Sequence, residues 1–344
     1  MDIMTDLIHI DNLSKHFKIL NRHQGMAGAI RDLFSTDFRT VKAVDGISFD
    51  IQPGEIVGYI GPNGAGKSTT IKMMTGILKP TEGTIQVNGH APYSNRIRQA
   101  QIMGVVFGQR SQLWWDLPVI ESFKILKEIY KVDKQTFDEH MGLFSRLVGL
   151  DKLYTQQVRT LSLGQRMLCD ISASFLHNPQ VVFLDEPTIG LDISIKAKIR
   201  SVIQELNRTR NTTIILTTHD LGDVEALCHR IIIIDKGRIL YDGDIKKVNA
   251  LFGAYRTLKL QIEDFNDSTL SVLQKKLDGK FGKKGGIAVA STEDFWTDVT
   301  IDQARTPLSD VLNFVMSNFP VYDVRIVEIA MENVVRKVYD GALG

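Results

Sequence analysis

Short apolar and alternating stretches open the chain. Leu7-Ile8-His9-Ile10 and Lys15-His16-Phe17-Lys18 predict two short strands, and Val44 to Ile51 alternates apolar and polar positions before the turn Gln52-Pro53-Gly54-Glu55. Asn21 to Thr40 between them is polar, with one amphipathic turn at Ala29 to Phe34, and reads as an insertion in a hairpin. Ile56-Val57-Gly58-Tyr59-Ile60 is almost continuously apolar, as expected of a strand covered on both faces in a parallel sheet. It runs into a glycine-rich turn.

From about Arg110 to Asn178 the spacing becomes helical, with Phe123, Leu126, Ile129 and Tyr130 on one predicted face and Phe144, Leu147, Val148 and Leu150 on another. The β/α pattern then returns: strand Val181 to Leu184, helix Ile193 to Arg210, strand Thr213 to Leu216, helix Asp220 to Cys228 and strand Ile231 to Ile234. The expectation is an α/β fold, a parallel sheet interrupted by a helical insertion at about 110–178. After about Leu251 the order changes to strand Arg256 to Ile262, helix Ser268 to Leu277, hairpin Ile287 to Ala290 with Trp296 to Ile301, helix Leu308 to Ser317, and strand Val324 to Ile329. With a closing helix at Glu332 to Tyr339, this predicts a small α+β, ferredoxin-like βαββαβ domain at 251–344, behind a first domain at 1–250.

Composition narrows the picture. In 344 residues, 41 basic and 40 acidic side chains leave a net charge of +1, so the molecule as a whole has no pull on nucleic acid. The Lys275, Lys276, Lys280, Lys283 and Lys284 cluster reads as a solvated helix end, since acids match bases in that domain. Cys169 and Cys228 cannot make a disulfide framework and are expected to be buried bystanders. Asp2 and Asp6 stand where a signal peptide would carry lysines, and runs such as Ile231 to Ile234 are far short of the roughly 20 residues of a membrane helix. A cytoplasmic chain, reaching a membrane only through a partner, is the expectation.

Gly61-Pro62-Asn63-Gly64-Ala65-Gly66-Lys67-Ser68 fits G-x-x-x-x-G-K-[ST], lying between the apolar strand and a helical run that begins at Thr69. Glycines let successive N–H groups turn inward on an anion, the helix N-terminus adds positive potential, and Lys67 reaches terminal phosphates. Ser68 offers a hydroxyl to Mg²⁺. Asp185 and Glu186 end a buried strand: the first is placed to hold the metal through its water shell, the second to orient and polarise the attacking water. His219 sits past another strand's carboxyl end, where such sheets gather ligands.

With these residues in view, the chain resembles the ATP-binding subunits of ABC transporters. Leu161-Ser162-Leu163-Gly164-Gln165 is similar to the LSGGQ signature, with Leu163 in place of its first glycine; Gln109 resembles the Q-loop glutamine, Gly190-Leu191-Asp192 the D-loop and His219 the switch histidine. The resemblance runs from about Leu7 to Asn249. It implies ATP and Mg²⁺ as ligands, Gln109 as both a catalytic and a metal-binding residue, and Ser162, Gly164 and Gln165 as nucleotide contacts. Phe17 stands where the family stacks an aromatic on adenine; a core phenylalanine is the alternative.

What the resemblance implies is a second copy, or a homologous subunit, supplying Ser162 and Gly164 to the open face of the γ-phosphate. A separate transmembrane permease would dock on the helical insertion. Trp114 and Trp115 either form part of that docking groove or fill the insertion's core. The C-terminal appendage, ending Val327 to Val335, is similar to those of multidrug, antibiotic-resistance and polysaccharide exporters. A non-transport ABC ATPase acting on nucleic acid or ribosomes is the rival, and a turnover-free regulatory module the third reading. The single nucleotide domain without coiled coils speaks against the rival, and Glu186 with His219 against the third.

Overall fold

The loop that follows the first buried strand is held between two sheets. In the computed structural model, residues 6–20, 38–108, 110–218, 220–252, 255–262, 267–291 and 296–328 are described, and the chain divides into two units, Met1–Gly243 and Asp244–Gly344.

In the first unit, β1 (Ile8–Leu20) and β2 (Phe38–Ile51) form an antiparallel ribbon and are followed by β3 (Ile56–Ile60), α1 (Lys67–Met74), β4 (Glu82–Val87), α2 (Arg96–Ile102) and β5 (Met103–Phe107). The helical insertion contributes α3 (Val119–Tyr130), α4 (Lys134–Val148) and α5 (Leu163–Ser174). Then come β6 (Val181–Asp185), α6 (Ile193–Arg210), β7 (Thr213–Thr218), α7 (Leu221–Leu227), β8 (Arg230–Asp235) and β9 (Arg238–Asp244). Strands pair as a three-stranded sheet, β2-β1-β4, and a six-stranded sheet, β5-β6-β7-β3-β8-β9. One core joins them: Ile10, Ile47 and Phe49 from the small sheet, Val57, Phe183 and Ile232 from the large one, and Ile71, Met73 and Met74 of α1.

Parallel register places the site. Phe107 pairs with Asp185, Asp185 with Thr217, and Ile60 with Thr218, so the carboxyl ends of β5, β6, β7 and β3 form one edge. Residues 181–184 of β6 and 214–216 of β7 are apolar and buried, so the two strands are covered on both faces and their register is pinned by packing.

The structure corrects several expectations. Instead of two short strands, residues 8–20 form one strand, bent by register shifts around Asn12, whose φ is 46°. Ile129 is exposed, because it lies roughly a quarter turn round α3 from the stripe of Val119, Phe123 and Leu126. β4, α2 and β9 were not anticipated: β4 buries only Ile85 and Val87, and β9 follows the turn at Lys236 and Gly237, both at positive φ.

The second unit contains α8 (Ile245–Phe252), β10 (Tyr255–Ile262), α9 (Asp267–Phe281), β11 (Ile287–Ser291), β12 (Trp296–Asp302), α10 (Leu308–Asn318) and β13 (Val321–Glu328). The strands run β11-β12-β10-β13, with every neighbour antiparallel. Leu258, Leu260, Val299 and Ile301 pack against Leu273 and Leu277 of α9 and Val311 and Val315 of α10. The turn expected at residues 29–34 and the closing helix at 332–339 lie outside the described residues, as does the motif beyond residue 328.

Gly104 of β5 allows a close approach between the sheet and the helical insertion: a Cβ there would stand 2.2 Å from the carbonyl oxygen of Ser174, the last residue of α5. Gly104→Ala is expected to lower the free energy of unfolding by about 2–3 kcal/mol, read from the midpoint of denaturant melts.

Candidate functional site

Gly61 to Ser68 carry the chain from β3 into α1. Gly66 adopts φ 111°, a conformation that side chains rarely take, and a Cβ there would stand 2.5 Å from the carbonyl oxygen of Ala43. A Cβ at Gly64 would meet nothing within 4 Å, so the loop is open on that side. Buried Lys67 donates from Nζ to the carbonyl oxygens of Gly61, at 2.6 Å, and Pro62, at 3.1 Å. Its charge is therefore held across the loop. A cavity of about 250 Å³ is lined by Ala43, Asn63, residues 64–69 (Gly64, Ala65, Gly66, Lys67, Ser68, Thr69), Asp185 and Glu186.

Asp185 is fixed on both carboxylate oxygens. Ser68 Oγ donates to Oδ2 at 3.2 Å and Thr217 Oγ1 to Oδ1 at 2.5 Å. A hydroxyl and a carboxylate so placed are the hard oxygen donors that Mg²⁺ takes, so the residues fit that ion. Glu186 has φ 56° and donates its N–H to Thr217, to the carbonyl oxygen at 3.0 Å and Oγ1 at 3.2 Å. Thr217 and Ala43 are not signalled by the sequence: the partner of Thr217 is set by cross-strand register, and Ala43 reaches the site from β2.

Gln109 and His219 lie outside the described residues. Their neighbours are anchored: Gly108 N–H donates to the Asp185 carbonyl at 2.8 Å, and Asp220 pairs with Lys196 Nζ at 2.5 Å. Phe17 is 36% exposed, which removes the core reading; it lines a neighbouring cavity of about 700 Å³ with Ser68, Lys72, Ile77, Phe107 and Asp185.

The signature-like residues stand apart, since none of Ser162, Gly164 and Gln165 lines the phosphate-loop cavity. Ser162 is exposed and caps α5, accepting from Gln165 N–H at 3.2 Å while Gln165 Oε1 accepts from Ser162 N–H at 2.9 Å. Gly164 is buried: a Cβ there would be 2.9 Å from Ile195 Cγ2, so within this chain its smallness lets α5 pack against α6. Trp114 and Trp115 are 38% and 51% exposed, so they do not fill the core of the insertion.

Comparison with known proteins then settles the family. Residues 44–189 match the ABC transporter family model. The ABC transporter ATP-binding protein NatA of Bacillus subtilis (strain 168) is 31% identical over 215 residues, covering 62% of this chain and 87% of that protein. The chain belongs to the ABC transporter ATP-binding family. The linearmycin resistance ATP-binding protein LnrL of the same organism is 31% identical over 231 residues, covering 67% of this chain and 74% of that protein. Among solved structures, cbiO1 from Clostridium perfringens, part of the ABC transporter complex cbiONQ, aligns with a TM-score of 0.58 at 26% identity, over 71% of this chain and 91% of that one. A dimeric cassette bound to ADP and Pi in a post-hydrolysis state shares the fold, with a TM-score of 0.57 at 22% identity over 69% and 98% of the two chains.

Two buried ionic groups set this ATP-binding subunit's framework. Asp223 of α7, fully buried, accepts from Arg200 Nε of α6 at 2.6 Å and from the Thr188 hydroxyl just past Glu186. Asp170 of α5 accepts from Ser111 Oγ at 2.9 Å and Gln112 N–H at 3.0 Å. Burial pushes the Asp170 carboxyl up to about 6, against the lowering pull of those two hydrogen bonds and Arg166. Burial also pushes the Cys169 and Cys228 thiols up to about 12, keeping them inert.

The unfolded carboxyl titrates near 3.8, so between about 4 and 6 the folded chain keeps a proton that the unfolded chain releases. Its stabilising contribution is full below about 4 and is lost as pH rises through 6. Asp170→Asn, which carries no such charge, is expected to melt above wild type at pH 7 and to lose that advantage by pH 4, as measured by paired thermal melts.

Proposed function

We propose that this chain is the ATP-hydrolysing subunit of an ABC transporter, driving a separate membrane permease by closing on ATP with a second copy or a homologous subunit. One observation carries the reading. The cradle holds Lys67, Ser68, Asp185 and Glu186 in a single cavity, while Ser162 is presented to solvent outside it at the N-terminus of a capped helix. Each chain thus offers half of a site and the complement of another's half.

The residues divide the work. N–H groups of the loop and of the first turn of α1 take the phosphates, Lys67 leaves its carbonyl partners for the terminal phosphates, and Phe17 stacks on the base. Ser68 and Asp185, with Gln109, are the residues to hold Mg²⁺, which neutralises charge on the terminal phosphates when bound. Glu186 orients and polarises the attacking water, and His219 bonds the γ-phosphate. Ser162 of the second subunit, at the positive end of α5, donates to the open face of the same phosphate. Hydrolysis removes the ligand both halves share, and the pair reopens.

Coupling is read onto the helical insertion, where Trp114 and Trp115 offer an exposed aromatic pair for an apolar permease helix. Among the described residues no helix is long and apolar enough to cross a membrane, which supports attachment to the inner face through the permease. Likeness to a linearmycin resistance protein supports export as the direction. The second unit is read as a ferredoxin-like accessory domain, its strands lying in the order second, third, first, fourth.

Lys67→Ala is expected to abolish nucleotide binding in fluorescence titrations. Glu186→Gln should retain ATP binding, lose at least about a hundredfold in turnover, and accumulate as an ATP-bound dimer in light scattering. Native turnover in Glu186→Gln removes that residue as the base. Ser162→Arg in the same background should bind ATP yet remain monomeric; a stable dimer of that variant contradicts the shared-site mechanism.

A further inference from the structure

Three side chains on α5 are spaced four residues apart: Ser162 at the cap, Arg166 and Asp170. Arg166 stacks over the Trp115 ring at 5.2 Å, and the Asp170 carboxylate takes both Ser111 Oγ and Gln112 N–H. Gln112 returns a bond, its Nε2 donating to the Asp170 carbonyl at 2.8 Å, and Ser111 Oγ in turn accepts from Leu113 N–H at 3.2 Å. The segment from Ser111 to Trp115 is therefore laced along α5. At its other end stands position 109, and Gly108 is bonded to the Asp185 carbonyl.

Packing alone does not account for Asp170. It is 4% exposed, and an apolar residue would fill the space without burying a charge. A carboxylate there supplies direction: two donors converge on one oxygen and fix where residues 111 and 112 lie relative to the helix axis. The lever is short and stiff, since Asp170 is two turns, about 12 Å, from Ser162. Tilting at one end of such a helix displaces the other.

We infer that Asp170 is a positioning residue, a latch that makes the segment after position 109 and the helix presenting Ser162 move as one piece. The inference rests on the shared-site reading above. Asp170 does not line the cradle, so its loss leaves phosphate binding by a single subunit untouched and acts on closure between two. Asp170→Asn keeps an oxygen that accepts both donors; Asp170→Ala keeps neither bond.

The test uses the full chain carrying Glu186→Gln. Binding of a fluorescent ATP analogue is measured at subunit concentrations too low for dimers, and dimer formation is followed by light scattering against MgATP. Added Asp170→Ala is expected to bind the analogue within about twofold of its parent yet need about tenfold more ATP to reach half-dimer, with Asp170→Asn close to the parent. If the Glu186→Gln parent never dimerises, the shared site itself fails, and the latch with it. If the parent dimerises and Asp170→Ala closes at the same ATP concentration, or Asp170→Asn is as impaired as Asp170→Ala, only the latch is overturned. Should Asp170→Ala not fold, Ser111→Ala removes one of the two donors, and about a threefold shift is expected. No shift overturns the inference.

Discussion

A single carboxylate organises the first unit. Asp185 can face the phosphate loop only because β6 is locked between β5 and β7 by buried side chains on both faces, in a register that sets Thr217 beside it. Its two oxygens then join the start of α1, through Ser68, to the end of β7. The glycine loop, the Ser68 and Asp185 oxygens and Glu186 thus share one sheet edge, the preorganisation that the proposed charge stabilisation demands.

The elements best read from the sequence are those whose chemistry is local. The phosphate loop declares itself by eight consecutive residues, and α6 by its period: the structure has it at Ile193–Arg210, the span its pattern predicts. Thr217 could not be read this way, since nothing near it in the chain names Asp185 as its partner. β4 escaped because a strand at a sheet's edge buries only every second residue, and Glu82-Gly83-Thr84 is exposed. The long β1 was divided because Asn12 interrupts the alternation, though the ladder continues past it. The packing of Gly164 on Ile195 was equally hidden, since the two lie thirty-one positions apart in the chain.

Charged side chains away from the phosphate loop tie α6 to the elements around it. Asp223 gathers Arg200 of α6 and Thr188 after β6, and Lys196, one turn earlier on α6, holds Asp220. Helix α6 starts at Asp192, whose carboxylate caps it by accepting from Ile195 N–H at 2.9 Å. The turn before α6, the residues just past β6 and those beyond β7 are therefore tied to α6 by side-chain bonds, and of these only the loss of Arg200 from Asp223 leaves an uncompensated charge that is fully buried.

The backbone of Glu186 has a cost of its own. A side chain at φ 56° is disfavoured relative to glycine by about 1–2 kcal/mol, and two bonds to Thr217 hold it there. Glycine at this position would give a sturdier protein without the carboxylate that the proposed reaction uses. Selection for robustness alone would erode this corner of the molecule, so an assay that scores only folding will rank the loss of this carboxylate as an improvement whatever it does to the proposed reaction.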